Sequence, residues 1–247
     1  MSSALRLVLI HGFTERPSMW DELISQLNDP TIAISTPSIP GHGAHPEIPG
    51  EHTTKAYCEA LLKQIPIDDL PWIVIGHSMG GYLASSLIKM VPEKIKALGF
   101  FHSKAGSDNT LKINDRRRAI TAATLNKDLY LNTMLRNTLA ESHAAHFQKE
   151  LNGMIEAAQH DITSECIVAA HSVMIERPDN VEYLKKVRFP IYYFLGAEDK
   201  SIPYEQIEPE LASIPNAHVQ IIQHAGHMGQ IECKAEAIEW IRTLCLV

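Results

Sequence analysis

Three things are scarce in this chain of 247 residues: close cysteine pairs, long apolar runs and surplus positive charge. The four cysteines, Cys58, Cys166, Cys233 and Cys245, lie far apart. That spacing excludes C-x-x-C metal knuckles and redox pairs, and it leaves reduced thiols as the expectation. No apolar stretch approaches the roughly 20 residues of a membrane-spanning helix. The first apolar run, residues 5–10, is too short for a secretory h-region and ends in His11 and Gly12. A cytoplasmic protein with no membrane partner is therefore expected. With 22 basic against 29 acidic residues the net charge is −7, which argues against nucleic acid and for a small-molecule partner. Internal repeats and low-complexity linkers are also missing.

What is present is a large apolar fraction, 45%, enough for one sizeable core and a single domain with an insertion. Runs at 5–10, 31–36, 72–76 and 95–101 are apolar almost throughout instead of alternating, as in parallel strands covered on both faces. The stretches between them, near 18–28, 53–65 and 79–91, are long enough for crossover helices, and Pro92 closes the last. Strand signals return at 190–196 and 217–223, and an amphipathic helix ends the chain. This order predicts an α/β fold with a mostly parallel sheet of about six strands flanked by helices. From 104 to 177 the strand signal stops, and apolar residues such as Leu131, Met134, Leu135 and Leu139, or Leu151, Met154, Ile155 and Ala158, recur at helical spacing. The expected division is a core of 1–103 and 178–247 with a helical insertion at 104–177.

Gly76-His77-Ser78-Met79-Gly80 fits G-x-S-x-G, directly after an apolar run and directly before a helical stretch. A sharp strand-to-helix turn strains the serine backbone and needs small residues two before and two after it. The Met79 N–H then lies in the first turn of a helix, where donors are unpaired, and can hold an oxyanion. His11-Gly12-Phe13 ends the first strand at the same carboxyl edge, so the Phe13 N–H is the expected second donor. A serine hydroxyl also needs a base, and the base an orienting acid. Asp199 follows the run at 190–196 and His227 follows the run at 217–223, giving the order nucleophile, acid, base.

With these pieces in place the chain resembles the α/β-hydrolase fold family, at "LVLIHGF", "PSIPGHGAHP" (37–46), "IGHSMGG", "GAEDKSIP" and "AGHM". The resemblance implies a capped serine carboxylesterase-like enzyme working without a cofactor through an acyl-enzyme on Ser78, with the insertion as the cap. It implies Asp199 over its neighbour Glu198 as the acid. The first antiparallel strands of the family are missing here. Thioesterase, lactonase and carbon–carbon bond hydrolase chemistry use the same triad and stay open, and so does a non-catalytic receptor of the same fold.

Other residues carry weaker expectations. His11, Gly12, His77, His102 and Met228 are candidates for the pocket. His224 is a rival base ranked below His227. Among the 13 histidines, His143 with His146, or His42 with His45, could be metal ligands, but carboxylates at ligand spacing are lacking, so no metal is expected. Arg116, Arg117 and Arg118 read first as a solvated helix face and second as a docking site for an acidic acyl carrier or a carboxylate substrate. The oligomeric state is not legible.

Overall fold

The computed structural model describes residues 4–43 and 52–247, so His45 and the end of the 37–46 motif lie outside the described residues. The strands are β1 (Leu5–Ile10), β2 (Ile32–Ser35), β3 (Trp72–His77), β4 (Ile95–Phe101), β5 (Ile191–Gly196) and β6 (Ala217–Ile222). They form one parallel sheet in the order β2-β1-β3-β4-β5-β6. The helices are α1 (Asp21–Leu27), α2 (Thr54–Leu62), α3 (Met79–Leu87), α4 (Thr110–Leu125), α5 (Lys127–Arg136), α6 (Gln148–Asp161), α7 (Ser164–Glu176), α8 (Val181–Leu184), α9 (Tyr204–Ser213), α10 (Gly229–Glu232) and α11 (Lys234–Cys245). Among the described residues no helix is long and apolar enough to cross a membrane.

The continuous apolar runs have a direct physical cause. In β1, Val8 and Ile10 enter one core with residues of α2, α3, α8 and α9, while Leu7 and Leu9 enter the other with α1 and α11. β3 repeats the pattern, with Trp72 and Val74 on one side and Ile73 and Ile75 on the other. Successive side chains point to opposite faces, so a strand covered twice must be apolar at every position. Each such side chain contributes about 1.5–3 kcal/mol on burial. Only the edge strands β2 and β6 keep half-exposed faces.

Between β4 and β5 the chain runs through α4–α7, which enclose a third apolar cluster containing Ala123, Leu131, Leu135, Ile155 and Ile167. Met228, the residue after His227, packs into this third cluster and ties the helices to the sheet's carboxyl edge. The chain leaves β1 toward β2 on one side and returns in β3 on the other. The crevice beyond the carboxyl ends of β1 and β3 is therefore the switch point where such sheets bind ligands.

Candidate active site

Ser78 leaves the end of β3 at φ 48° and ψ −116° and caps α3. The strained conformation persists because its surroundings leave no alternative. Its N–H donates to the Phe101 carbonyl at 3.1 Å, and its carbonyl accepts from the Ser103 hydroxyl at 2.6 Å. A Cβ on Gly76 would meet the Gly80 carbonyl at 2.3 Å, and one on Gly80 would meet the His11 oxygen at 2.3 Å. Both glycines are therefore dictated by backbone contact, as the pattern requires. Thr14 (φ 66°) and His102 (φ 47°) are also left-handed, and both follow strands at this same edge. Strain of this kind gathers where function fixes geometry.

The structure brings His227 and Asp199 together. His227 Nδ1 lies 2.7 Å from Asp199 Oδ2, and both residues are buried. Asp199 Oδ1 accepts from the Ser201 and Ile202 N–H groups at 2.8 and 3.0 Å, which fixes the carboxylate's direction. Burial alone would raise the Asp199 carboxyl, but His227 and His102 outweigh it and hold it well below the usual carboxylate range. Glu198 is only part-buried and faces the Ser142 hydroxyl at 3.4 Å, and His224 is exposed. Ser78 and His227 line one cavity of about 260 Å³ with Phe13, Tyr130, His171 and Met228 among its walls. Among the described residues, no acceptor is engaged by the backbone N–H of Phe13 or of Met79.

Two acids missed in the sequence hold this arrangement from behind. Glu15 is buried; its Oε2 accepts from the Gly12 N–H at 2.6 Å and from His77 Nδ1 at 2.7 Å. His77 Nε2 in turn donates to the His227 carbonyl at 2.9 Å. Both partners of the His77 ring are acceptors, so the ring is an imidazolium. Burial opposes that charge, but Glu15 overcomes it and raises the His77 pKa. Glu232, the second acid, accepts from the N–H groups of Ala140 at 2.8 Å, Gly226 at 3.0 Å and Met228 at 3.1 Å, pinning the His227 loop.

Of the five pocket candidates, His77 and Met228 line the cavity, whereas His11, Gly12 and His102 do not. His11 is fully buried and accepts the Ile39 N–H at Nε2, 3.0 Å, and burial drops its pKa to about 3. The Gly12 N–H is occupied by Glu15. His102 is fully buried beneath Asp199, its Nδ1 3.4 Å from Oδ2, in a left-handed turn at φ 47° directly after β4. The arginine cluster is also divided. On a helix, consecutive residues project about 100° apart. Arg116 turns inward, buried against Asp108, while Arg117 and Arg118 are exposed and Arg118 pairs with Asp115. Three arginines on one outward docking face is thus not the arrangement. His143, weighed as a metal ligand with His146, lies 3.4 Å from Glu232. Among the described residues the cluster with ligand-like spacing is His102, Asp199 and His227, the site itself.

A model of the alpha/beta hydrolase family matches residues 7–239 of the chain. A pimeloyl-[acyl-carrier protein] methyl ester esterase of Aromatoleum aromaticum is 26% identical over 242 residues, covering 90% of both chains. A 2-succinyl-6-hydroxy-2,4-cyclohexadiene-1-carboxylate synthase of Salmonella arizonae is 24% identical, covering 94% of this chain and 90% of its own. A thermophilic esterase from Thermogutta terrifontis, solved with malate bound, superposes with a TM-score of 0.85 at 24% identity, over 99% of this chain and 92% of that one.

Proposed function

The chain belongs to the alpha/beta hydrolase family, and from that premise we propose that it is a serine hydrolase of small carboxylic esters. The observation that carries the reading is the His227–Asp199 bond of 2.7 Å beside the same cavity as the strained Ser78. Asp199 holds His227 Nδ1, which leaves Nε2 to take the Ser78 proton as Oγ attacks the ester carbonyl. The Phe13 and Met79 N–H groups receive the oxyanion. His227 returns the proton to the leaving alcohol, and water then cleaves the acyl-enzyme by the same steps in reverse.

Residues 104–177 act in this reading as a cap on a core formed by 1–103 and 178–247, with the cytoplasm as the place of action. A cavity of about 260 Å³ holds roughly nine water-sized groups. That supports short to medium acyl chains and disfavours long-chain lipids. The ester chemistry in the names of the relatives supports the same class.

A fluorophosphonate probe tests the proposal, with initial rates on aryl esters of increasing acyl length, thioesters and lactones measured beside it. Rapid labelling of wild type, none of Ser78→Ala, and a cutoff in rate with acyl length are expected. A folded wild type that does not label would overturn the enzyme reading and favour a receptor. Faster turnover of the thioesters or lactones would move the substrate class.

A further inference from the structure

The cavity that Ser78 shares with His227 carries, in its helical wall, more positive charge than its neighbours offset. Arg116 and Arg177 both grip a single carboxylate, Asp108, Arg116 through Nε and Arg177 through NH2 at 2.7 Å. Burial would raise that carboxyl, but the two guanidinium groups hold it far below its ordinary range, so it stays a single negative charge between two positive ones. Arg177 also donates to the Met174 and Gly106 carbonyls at 2.7 and 3.0 Å and stacks on Tyr82, with Nε alone lacking an acceptor among the described residues, and it does not line the cavity.

Arg116 is different. It is about nine-tenths buried and lines the cavity, yet its NH1 meets only the Met174 sulfur at 2.9 Å. A thioether is a weak acceptor. Among the described residues its one oxygen partner is Asp108. Lys112, one turn earlier on α4, lines the same cavity with Nζ on the Ser201 carbonyl at 3.2 Å. Burial, and then the Arg116 charge, lowers its pKa. The acids near this pair are engaged elsewhere: Asp108 is shared by two arginines, Asp115 is exposed and held by Arg118, Asp199 is turned to His227 and the Ser201 and Ile202 N–H groups, and Glu15 is matched by His77. Asp108, Asp115 and Asp199 act on Lys112 only in part, and its pKa stays lowered.

A spare donor adds to the two cations. Tyr130 and His171 line the cavity 2.7 Å apart, hydroxyl to Nε2, and burial keeps His171 neutral with a pKa of about 3. A phenol and a neutral imidazole carry two polar hydrogens between them, and one bond uses only one. Whichever tautomer is present, one donor is left over, and His171 Nδ1 has no partner. Buried donors and cations without acceptors are costly unless a ligand satisfies them.

Resting on the hydrolase reading of Ser78, we propose that the ester this site takes carries a free carboxylate, bound by Arg116 and Lys112 in the cavity where Ser78 acts. A planar guanidinium edge and an ammonium suit a carboxylate, and the Tyr130–His171 donor completes its shell. The substrate class is then a small anionic ester, the hemi-ester of a dicarboxylic acid or the ester of a hydroxy acid.

The test compares anionic and neutral esters of similar length on wild type and variants. Monomethyl adipate against methyl hexanoate places the charge on the acyl side, and O-butyrylglycolate against propyl butyrate places it on the alcohol side. In one of the two pairs, wild-type kcat/KM is expected to be at least about tenfold higher for the anion, the scale of one charge-assisted hydrogen bond. Lys112→Met, which leaves the Arg116–Asp108–Arg177 cluster intact, should cut that anion-to-neutral ratio about tenfold, and Arg116→Lys should cut it less than Arg116→Gln. Equal rates within both pairs overturn the proposal, and so does a ratio that no variant moves. Calorimetry with Ser78→Ala reads the same site without chemistry. There the preferred anionic ester should bind at least about tenfold tighter than its neutral partner, and Lys112→Met should abolish the difference. Esters that bind with this preference but are never turned over by wild type would count against the hydrolase reading alone, whereas turnover without anion preference would count against the carboxylate alone.

Discussion

Glu15→Gln is the most informative single change in this molecule, because it removes a charge and almost no volume. In the native site Glu15 Oε2 serves two donors, Gly12 N–H and His77 Nδ1, and His77 Nε2 serves the His227 carbonyl. Glutamine can still accept from Gly12, but the buried imidazolium has lost its counter-ion and releases its proton. A neutral ring has one N–H for two acceptors. Either the amide oxygen that replaces the carboxylate or the His227 carbonyl then faces a lone pair. Breaking a buried pair from one side costs about 3–5 kcal/mol. Both side chains are at least 95% buried, so solvent offers little relief. Where the His227 carbonyl loses its donor, the proposed base is displaced, and a small displacement of a catalytic group can cost about 100-fold in rate. Urea unfolding at pH 7 and kcat on p-nitrophenyl butyrate measure the two effects. A Glu15→Gln protein within about 1 kcal/mol and twofold of wild type would refute the ion-pair argument. The sign in pH is also fixed. A raised His77 pKa contributes stability that is full below about 6.5 and is lost as pH rises through the folded value, so the gap between wild type and variant should narrow at alkaline pH.

Asp199→Asn should lower kcat by about 10³–10⁴, on the scale of the amidated triad aspartate of serine proteases, while Glu198→Gln costs less than tenfold; the reverse ranking in two well-folded variants would show that the acid is misassigned. Gly80→Ala forces a Cβ to 2.3 Å from the His11 oxygen and should cost about 1–3 kcal/mol, whereas Gly153→Ala, with nothing within 4 Å on α6, should gain about 0.5–1 kcal/mol. Thermal and urea midpoints separate the two, and a tolerated Gly80→Ala would contradict the tight turn. His11, His42, His102 and His171 are buried and neutral, with burial lowering them to about 3, 4, 4 and 3. Below an ordinary pKa of about 6.5 the unfolded chain takes up protons that the fold refuses. Stability should therefore fall by about 1.4 kcal/mol per pH unit for each of them between pH 6.5 and about 4. Urea midpoints that stay flat from pH 7 to 5 would disprove their neutrality.

The six strands and the approach of Ser78, Asp199 and His227 to one edge are legible in the sequence because each depends on a linear feature. A strand covered twice is apolar at every position, and a residue just past such a strand has only one edge to occupy. Long-range pairings are not linear. Glu15 and His77 are 62 residues apart, and Glu15 looks like any acid in a polar loop until the chain folds over it. His102 has the strand-end position of a pocket residue, but a buried left-handed turn at φ 47° places it under Asp199. Arg116 is indistinguishable by type from Arg117 and Arg118, and only the rotation of α4 sends it inward. Residue type gives the chemistry that a side chain can do, whereas its partner across the fold decides its charge.

The two imidazole–carboxylate pairs at this edge show that last point most sharply. His227 has its carboxylate at Nδ1 and lines the cavity, and in the proposed reaction its Nε2 takes and returns the serine proton. His77 has acceptors at both nitrogens and must keep its proton. An imidazole and a carboxylate thus make the proposed proton shuttle in one place and a fixed cation in the other, 4.9 Å apart between ring centres. The fixed cation holds the His227 backbone carbonyl, so the position of His227 depends on a pair that is not part of the proposed triad. If the proposed chemistry holds, changes elsewhere in the cavity wall should leave Glu15, His77 and Glu232 alone, because they fix where His227 stands before any ligand enters.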